Sequence, residues 1–591
     1  MTRWMGLLTV LAVVFGAAAG CFLQSDSPDD TLTGFADALS RGDVAAAAEH
    51  TTDPGAASAA IQSMLDGMGP TAKLTASGRM IDDKKVTGTV DFGWTIRDDR
   101  SMRYQSTAVL EERDSTWLVR WQPDVLHPSL RDGHTFSYSD DMDYRTPVLD
   151  RNGRPLMTWQ PVSLIQLHRD HLDSADRVAR VLRTVEPGMT GDGIRRQFTD
   201  SPDAEQTVIR LRSRDLAEVR TSLKAIDGVS FSEQGALLSA TRALHSPAMT
   251  GLEESWRDTI TRTAGWSVSL IDARGTPTDV LKQVSPQPTP ALRTELDRDI
   301  QTNAQRAVDV ERRPAVIVAI APSTGAIVAV AQNSAADRTG AIALSGLYPP
   351  GSTFKTVTTA AGLARGAVRP QTALPCPGRA TIEGRTIPNE DDFDLGLVPL
   401  SSAFAHSCNT TMGALANRLP ADALPGVARE LGIGVDYVIP GITTVTGRVP
   451  AADTPSLRVE NGIGQGTVAV SPFGLAVAEA SLARGETVTP TLISGRRTTT
   501  DSPTRRLPAD VVRDLRSMMR QTVASGTATA LRDVPGLGGK TGTAEYGDNK
   551  NPHGWFAGIV GDLAFATLVV GGGSSEPAVS VTGRFLRPLV S

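Results

Sequence analysis

The chain has 591 residues, which at about 100–200 residues per domain predicts three or four domains. With 40% hydrophobic and 21% charged residues, it is typical of soluble globular proteins, and a multi-pass membrane protein or a disordered chain is excluded. The net charge of −6 argues against general nucleic-acid binding, and 3 Cys are too few for a disulfide-dense scaffold or a Cys-based zinc site.

The first 21 residues indicate an export signal. Arg3 precedes an apolar run that ends in Ala18-Ala19-Gly20-Cys21. This ending is similar to a bacterial lipobox, so we expect residues 1–21 to be a lipoprotein signal, Cys21 to carry the lipid, and the remainder to lie on the extracytoplasmic face of the membrane. An uncleaved single-pass anchor and simple secretion are the alternatives, because the run is at the short limit of about 17–25 residues for a spanning helix.

Residues 28–140 predict a small α+β domain. The segment 31–68 has a helical pattern, and a curved antiparallel sheet is predicted after it. Apolar side chains alternate with polar ones in the first clear strand, at Val90, Phe92, Trp94 and Ile96.

Residues 141–293 indicate a mixed α/β domain. Asn152-Gly153 is a turn signal between two short apolar arms, and 209–244 reads as strand, helix and strand. Several prolines in 272–293 predict a linker or an extended crossing strand.

Residues 294–591 form the third predicted domain. An amphipathic helix is predicted over 296–308, and two apolar runs, 315–321 and 326–331, predict a hairpin. Helical and strand patterns alternate from there to the C-terminus.

The first chemical motif is Ser352-Thr-Phe-Lys355, which follows Pro349-Pro350-Gly351. The prolines predict a helix that begins near Ser352, and residues i and i+3 share one helix face. A lysine with a lowered pKa can take the proton of a serine hydroxyl and make it a nucleophile. The chain has 51 Arg and only 8 Lys, and only Lys355 has Ser three residues before it. A capped helix with an exposed lysine is the alternative reading.

Two further motifs follow, at Ser407-Cys408-Asn409 and at Lys540-Thr541-Gly542-Thr543. Read alone, the first would be a helix cap or turn and the second a junction between turn and strand. Each nevertheless occurs once, and the three stand in the order S-x-x-K, S-x-N and K-T-G, which is the set found in penicillin-binding proteins and class A β-lactamases.

On these motifs, with NGIGQGTVAVSP (461–472) and HGWFAG (553–558), the chain resembles a class B penicillin-binding protein of the actinobacterial lipoprotein type. The resemblance implies an α+β multidomain fold. Its transpeptidase domain, 294–591, would be like serine β-lactamases and D,D-peptidases, with an antiparallel sheet flanked by helices. Residues 28–140 would form the cone-shaped N-terminal domain of methicillin-resistance-type proteins, and 141–293 a dimerisation-like domain.

The resemblance also implies roles for residues. Ser352 would be acylated by the D-Ala-D-Ala end of a peptidoglycan stem peptide or by a β-lactam, with Lys355 as general base. Ser407, Asn409 and Lys540 would complete the catalytic network, and Thr541, Gly542 and Thr543 would bind the substrate. The backbone N–H groups of Ser352 and Thr543 would form the oxyanion hole.

The same motifs are compatible with other functions. A D,D-carboxypeptidase or endopeptidase shares the chemistry. A β-lactamase would need a water-activating Glu, and 410–539 contains no E-x-x-L-N sequence. A non-catalytic β-lactam sensor or division scaffold is the alternative from another class.

Further expectations concern thiols, histidines and partners. Cys376 and Cys408 could form a disulfide in an exported domain or remain two buried thiols. His406 and His553 are interpreted as structural, and no cofactor or metal is expected. A separate glycosyltransferase and division or elongation proteins are the partners that the resemblance implies.

Overall fold

The computed structural model describes residues 27–97, 99–199, 201–241, 244, 246–545 and 551–590, so the predicted lipidation site at Cys21 lies outside the described residues. The chain divides into two compact units. One contains the described residues up to Met142 together with Thr263–Pro288, and the other contains Asp143–Arg262 and the chain from Thr289 onward. Within the described residues, we find no helix long and apolar enough to cross a membrane.

The first unit packs helices on an antiparallel sheet. Its first helix begins after Ser27, whose side chain accepts a hydrogen bond from the N–H of Asp30, and ends at Gly42 in a left-handed conformation. The predicted alternation from Val90 to Ile96 is confirmed, because all four apolar side chains lie in the core between helices and sheet. The helices are Pro28–Arg41, Val44–Glu49 and Pro54–Met68, and the sheet strands, in spatial order, are Lys73–Asp82, Thr87–Arg97, Arg100–Arg113 and Thr116–Val119.

A second sheet of this unit changes the predicted division of the chain. Strand Gly265–Ile271 pairs antiparallel with Thr135–Asp141 on one side and with Pro277–Val284 on the other. Residues 263–288 therefore belong to the first unit and not to a continuous middle domain over 141–293. This pairing joins segments more than a hundred residues apart, and local sequence patterns do not report such partners.

The second unit begins with a smaller mixed α/β region. The Asn152-Gly153 turn is confirmed, since strands Val148–Leu149 and Pro155–His168 pair antiparallel around it. The long strand also pairs with Glu205–Arg212 and Val229–Ser239, and Leu292–Arg293 joins Val148–Leu149 in parallel. The helices of this region are Ala175–Leu182, Gly191–Thr199, Ser213–Lys224 and Ala248–Thr263.

A five-stranded antiparallel sheet, referred to below as the central sheet, organises the rest of the unit. The predicted hairpin is confirmed, and both of its strands are buried on both faces, which explains their continuous apolar runs. In spatial order the strands are Ala326–Gln332, Ala315–Ala321, Leu563–Val569, His553–Val560 and Gly538–Ala544. The last of these carries the third motif and lies at the edge of the sheet.

Helices cover both faces of this central sheet. The predicted helix at 296–308 is confirmed as Arg298–Asp309, and it packs with Glu576–Val590 on one face, whereas Pro472–Arg484 packs on the other. The side-chain amide of Gln301 forms hydrogen bonds with both backbone groups of Val330, which protects that sheet edge. The other helices are Ser334–Asp337, Ile342–Ser345, Lys355–Ala364, Leu400–Ala405, Asn409–Asn417, Ala423–Glu430, Pro455–Gly462 and Ala509–Ser525.

Short strand pairs complete the unit. They are Ala373–Cys376 with Gly396–Pro399, Arg379–Ile382 with Arg385–Pro388, Tyr437–Val438 with Thr499–Thr500, and Gly447–Arg448 with Ala469–Val470. The first two pairs lie next to the second motif and shape one side of the site.

Candidate active site

The first motif begins in a tight 3-10 turn, Gly351–Phe354, which continues directly into helix Lys355–Ala364. Gly351 has φ +51°, and its N–H donates to the carbonyl oxygen of Gly464 at 2.9 Å. A Cβ at Gly351 would lie 2.3 Å from the carbonyl oxygen of Thr543. Glycine is therefore required here both for its backbone conformation and for the close approach of the third motif.

Lys355 connects the first two motifs. Its Nζ lies 2.9 Å from Oγ of Ser352, 3.1 Å from Oγ of Ser407 and 2.6 Å from Oδ1 of Asn409, and it also donates to the carbonyl oxygen of Ser407 at 2.7 Å. The lysine is fully buried. The structure thus brings together four residues that the sequence predicted to act together.

The environment of Lys355 favours its neutral form. Burial is the main reason that its pKa lies well below the usual lysine value, and the neighbouring positive charge of Lys540 lowers the pKa further, while Glu390 opposes both effects. A neutral amine within hydrogen-bond distance of the Ser352 hydroxyl can accept its proton.

The second motif joins two helices through a strained residue. Ser407 has φ +65°, a left-handed conformation that is uncommon for a residue other than glycine. Such a conformation costs about 1–3 kcal/mol and persists only where the surroundings enforce it. It lets both the hydroxyl and the carbonyl oxygen of one residue face the lysine amine.

The disulfide Cys376–Cys408 fastens this motif to strand Ala373–Cys376, with Cα atoms 6.1 Å apart. Both cysteines are buried. The middle residue of the S-x-N motif therefore has a covalent bond to a neighbouring strand, which restricts how far Ser407 and Asn409 can move.

The third motif lies on edge strand Gly538–Ala544. Lys540 is buried, its Nζ donates to the carbonyl oxygen of Thr541 at 3.1 Å, and burial lowers its pKa to about 7, with Glu390 acting in the opposite direction. The hydroxyls of Thr541 and Thr527 are 2.6 Å apart. A Cβ at Gly542 would lie 2.8 Å from the carbonyl oxygen of Pro350, so this strand also approaches the nucleophile turn closely.

The motifs open onto one cleft of about 850 Å³, large enough for a peptide end or an antibiotic. Ser352, Ser407, Asn409 and Thr543 line it, whereas the two lysines are buried. Around them the walls are mainly polar and charged, from Arg379, Arg385, Glu390, Asp391, Asp392, Glu460 and Glu545 among others.

Several residues of the site were not predicted from the sequence. Phe404 lies with its ring centroid 5.8 Å from Nζ of Lys540, and the indole N–H of Trp555 donates to the carbonyl oxygen of Pro349, before the nucleophile turn. Thr527 and Glu390 are the others. Of these four residues, only Trp555 lies in a segment that the sequence marks as similar to the family, HGWFAG.

The two histidines have contacts of their own. Nδ1 of His406 is 3.0 Å from the carbonyl oxygen of Ser402, and Nδ1 of His553 accepts from the N–H of Gly571. The ring of His553 packs edge-on against Tyr348, with centroids 5.1 Å apart. Searched over the described ranges, the chain has no cluster of three or more His, Cys, Asp or Glu residues arranged to bind a metal ion.

Comparison with known proteins gives two domain matches. Residues 315–590 match the penicillin binding protein transpeptidase domain, and residues 27–134 match the NTF2-like N-terminal transpeptidase domain. The expected α+β multidomain fold with these two domains is thereby confirmed.

Individual relatives agree with these matches. The peptidoglycan D,D-transpeptidase PbpA of Mycobacterium tuberculosis is 33% identical over 235 residues, which cover 36% of this chain and 47% of that protein. PbpA of Mycolicibacterium smegmatis is 33% identical over 271 residues, covering 41% and 53%. Penicillin-binding protein 3 of Bacillus subtilis is 22% identical over 533 residues, covering 77% and 78%. The chain thus spans about half the length of the PbpA relatives it matches.

Ser352 lies at the start of a helix with a buried lysine within hydrogen-bond distance, which is the arrangement that an activated serine nucleophile needs. The chain also has the two matched domains and the three motifs in the order S-x-x-K, S-x-N and K-T-G, and these observations together indicate its family. The chain belongs to the class B penicillin-binding proteins.

Proposed function

We propose that the protein is a D,D-transpeptidase that cross-links peptidoglycan stem peptides through an acyl-enzyme on Ser352. The observation that carries the proposal is the 2.9 Å contact between Oγ of Ser352 and Nζ of Lys355, a fully buried lysine beside a second buried lysine. The D,D-transpeptidase names of the PbpA relatives support it.

In the acylation step, Oγ of Ser352 attacks the carbonyl carbon of the penultimate D-Ala while its proton passes to the neutral amine of Lys355. We assign the oxyanion hole to the backbone N–H groups of Ser352 and Thr543. The C–N bond then breaks, the terminal D-Ala leaves with a proton delivered through Lys355 and Ser407, and an ester remains on Ser352.

In the second step, an amine of a neighbouring stem peptide attacks this ester. The new amide bond forms, the Ser352 hydroxyl is restored, and the amine proton returns through the same groups. Edge strand Gly538–Ala544 can pair with an extended donor peptide, and we assign its carboxylate to Lys540, Thr541 and Thr543. Asn409 holds the substrate amide in this proposal, and Gly542 leaves room for the backbone.

The proposal extends to the rest of the chain. We propose that Cys21 is the lipidation site and that residues 1–21 are its signal, which would keep the transpeptidase domain, 294–591, at the outer face of the cell membrane. Residues 28–140 together with 263–288, and residues 141–262, would be accessory domains. A separate glycosyltransferase would supply the glycan strands.

Intact-mass spectrometry with benzylpenicillin tests the acyl-enzyme. We expect a stable increase equal to the mass of the whole antibiotic, since opening of the ring loses no atoms, and peptide mapping should assign it to Ser352. Ser352→Ala should show no adduct. Absence of an adduct on the wild-type protein would refute the proposal, and rapid loss of the adduct would indicate a β-lactamase.

A second assay measures transpeptidation directly. Stem-peptide substrate with an acceptor amine should yield released D-Ala and cross-linked product in equal amounts. Release of D-Ala without cross-linked product would indicate a carboxypeptidase. A protein that supports growth with Ser352→Ala as well as with the native residue would instead be a scaffold or sensor.

A further inference from the structure

A buried amide side chain outside the three motifs lies next to the second motif. Asn389 is 2% exposed and follows strand Arg385–Pro388. Its Nδ2 donates to the carbonyl oxygens of Pro377 at 2.9 Å and Phe393 at 2.8 Å, and its Oδ1 accepts from the N–H of Thr410 at 3.1 Å. Both ends of the amide are in use, so its orientation is determined.

One of these bonds reaches the start of helix Asn409–Asn417. The first N–H groups of a helix lack partners within the helix, and Cys408, at the N-cap, provides no side-chain acceptor. Oδ1 of Asn389 supplies one for Thr410. The sulfur atoms of Cys376 and Cys408 are each 3.5 Å from the Asn389 side chain, so the amide packs against the disulfide as well.

The peptide group between Pro388 and Asn389 contacts the catalytic network. The N–H of Asn389 donates to the carbonyl oxygen of Gly378 at 2.8 Å, and the carbonyl oxygen of Pro388 accepts from Nδ2 of Asn409 at 2.9 Å. Because an amide carries its donors on one end and its acceptor on the other, this bond directs Oδ1 of Asn409 toward Lys355.

We propose that Asn389 is a positioning residue for acyl transfer, which fixes the Pro388 carbonyl and the helix start so that the amide oxygen of Asn409 faces Lys355. The inference rests on the proposed function, in which Lys355 is the base of the acyl-transfer step. Asn389 borders the cleft but is 2% exposed, and because backbone groups already occupy both ends of its amide, it acts through Asn409.

The proposal has a kinetic consequence with a defined sign. Without Asn389, the Asn409 amide can turn and lose its acceptor contact with Lys355, and since that contact favours the ammonium form, the pKa of Lys355 falls further. The acid limb of acylation then moves to lower pH. The other groups that face Nζ, namely the hydroxyls of Ser352 and Ser407, the carbonyl oxygen of Ser407 and the charges of Lys540 and Glu390, are unchanged by the substitution.

The experiment measures acylation of the full chain by a fluorescent penicillin over a pH series, separating the binding constant from the acylation rate constant. For Asn389→Ala we expect a rate constant about 10- to 100-fold lower, as for catalytic groups displaced by about 1 Å, with the acid limb at lower pH and little change in binding. Asn389→Ser, which keeps a hydroxyl near the same backbone groups, is the milder second variant.

Asn333 offers a matched control in the same domain. It is also buried, its Nδ2 donates to carbonyl oxygens of Glu311 and Arg313, and its Oδ1 accepts from the N–H groups of Ala315 and Ala336. Asn333→Ala should lower stability to a similar degree but leave the acylation rate constant and its acid limb as in the wild type.

A double substitution tests the route through Asn409. Adding Asn389→Ala to Asn409→Ala should cause no further loss of rate, because the group that Asn389 positions is already absent. An additive loss, a wild-type profile for the Asn389 variants, or an equal loss in Asn333→Ala would overturn the inference. A wild-type protein that is not acylated at all would instead refute the proposed function, and with it this role.

Discussion

Glu479 is a buried carboxyl whose effect on the free energy of unfolding depends on pH. It lies on helix Pro472–Arg484, which packs on the central sheet, and it is 1% exposed. Within the described residues, its Oε2 has no hydrogen-bond partner. Burial raises the pKa of Glu479 from 4.5 to about 8, so the folded protein holds this carboxyl in its neutral form at pH 7.

The raised pKa makes the free energy of unfolding depend on pH. The unfolded chain releases this proton near pH 4.5, so the contribution of Glu479 to the free energy of unfolding is highest below that value, falls between pH 4.5 and about 8, and is then constant. Each pKa unit corresponds to about 1.4 kcal/mol, which gives a loss of about 3 kcal/mol at pH 7 and about 5 kcal/mol above pH 8. Glu479→Gln, which cannot ionise, should escape this loss.

Urea unfolding of the full chain, followed by pulse proteolysis at several pH values, measures the difference. The advantage of Glu479→Gln over the wild type should grow by about 1.4 kcal/mol per pH unit from pH 6 and by less as the folded carboxyl begins to ionise near pH 8, which gives roughly 2 kcal/mol between pH 6 and pH 8. The exposed Glu254, on another helix of the same unit, serves as control, and Glu254→Gln should follow the wild type. A constant difference between Glu479→Gln and the wild type would refute the reasoning.

Other predictions concern the site. Lys540→Met removes a charge that lowers the pKa of Lys355, so the acid limb of penicillin acylation should move to higher pH, and an unmoved limb would contradict this. Gly542→Ala would place a Cβ 2.8 Å from the carbonyl oxygen of Pro350, next to the nucleophile turn. The rate constant of acylation by the fluorescent penicillin should therefore fall at least tenfold. Cys376→Ser with Cys408→Ser opens a loop of 32 residues and should cost roughly 3–4 kcal/mol by urea unfolding; unchanged stability would argue against the bond.

Local patterns predicted the elements that depend on neighbouring residues. The hairpin of Ala315–Ala321 and Ala326–Gln332 and helix Arg298–Asp309 were predictable because runs of apolar residues and their period reflect burial directly. The pairing of Gly265–Ile271 with Thr135–Asp141 was not, because a strand that is buried on one face can pair with any edge that tertiary folding presents. Asn389 was missed for the same reason, since its partners come from separate segments.

The sequence by itself determined which chemical groups this protein has and their order: one serine three residues before a lysine, an S-x-N triplet and a K-T-G strand. It also determined that Arg could not take the place of Lys355, because a guanidinium does not release its proton near neutral pH. Only the tertiary structure decided that Lys355 is fully buried, that Lys540 lies close enough to lower its pKa, and that Ser407 holds a left-handed conformation. Burial and charge–charge interactions depend on distances between segments far apart in the chain, and those distances are set when the sheet and its helices pack.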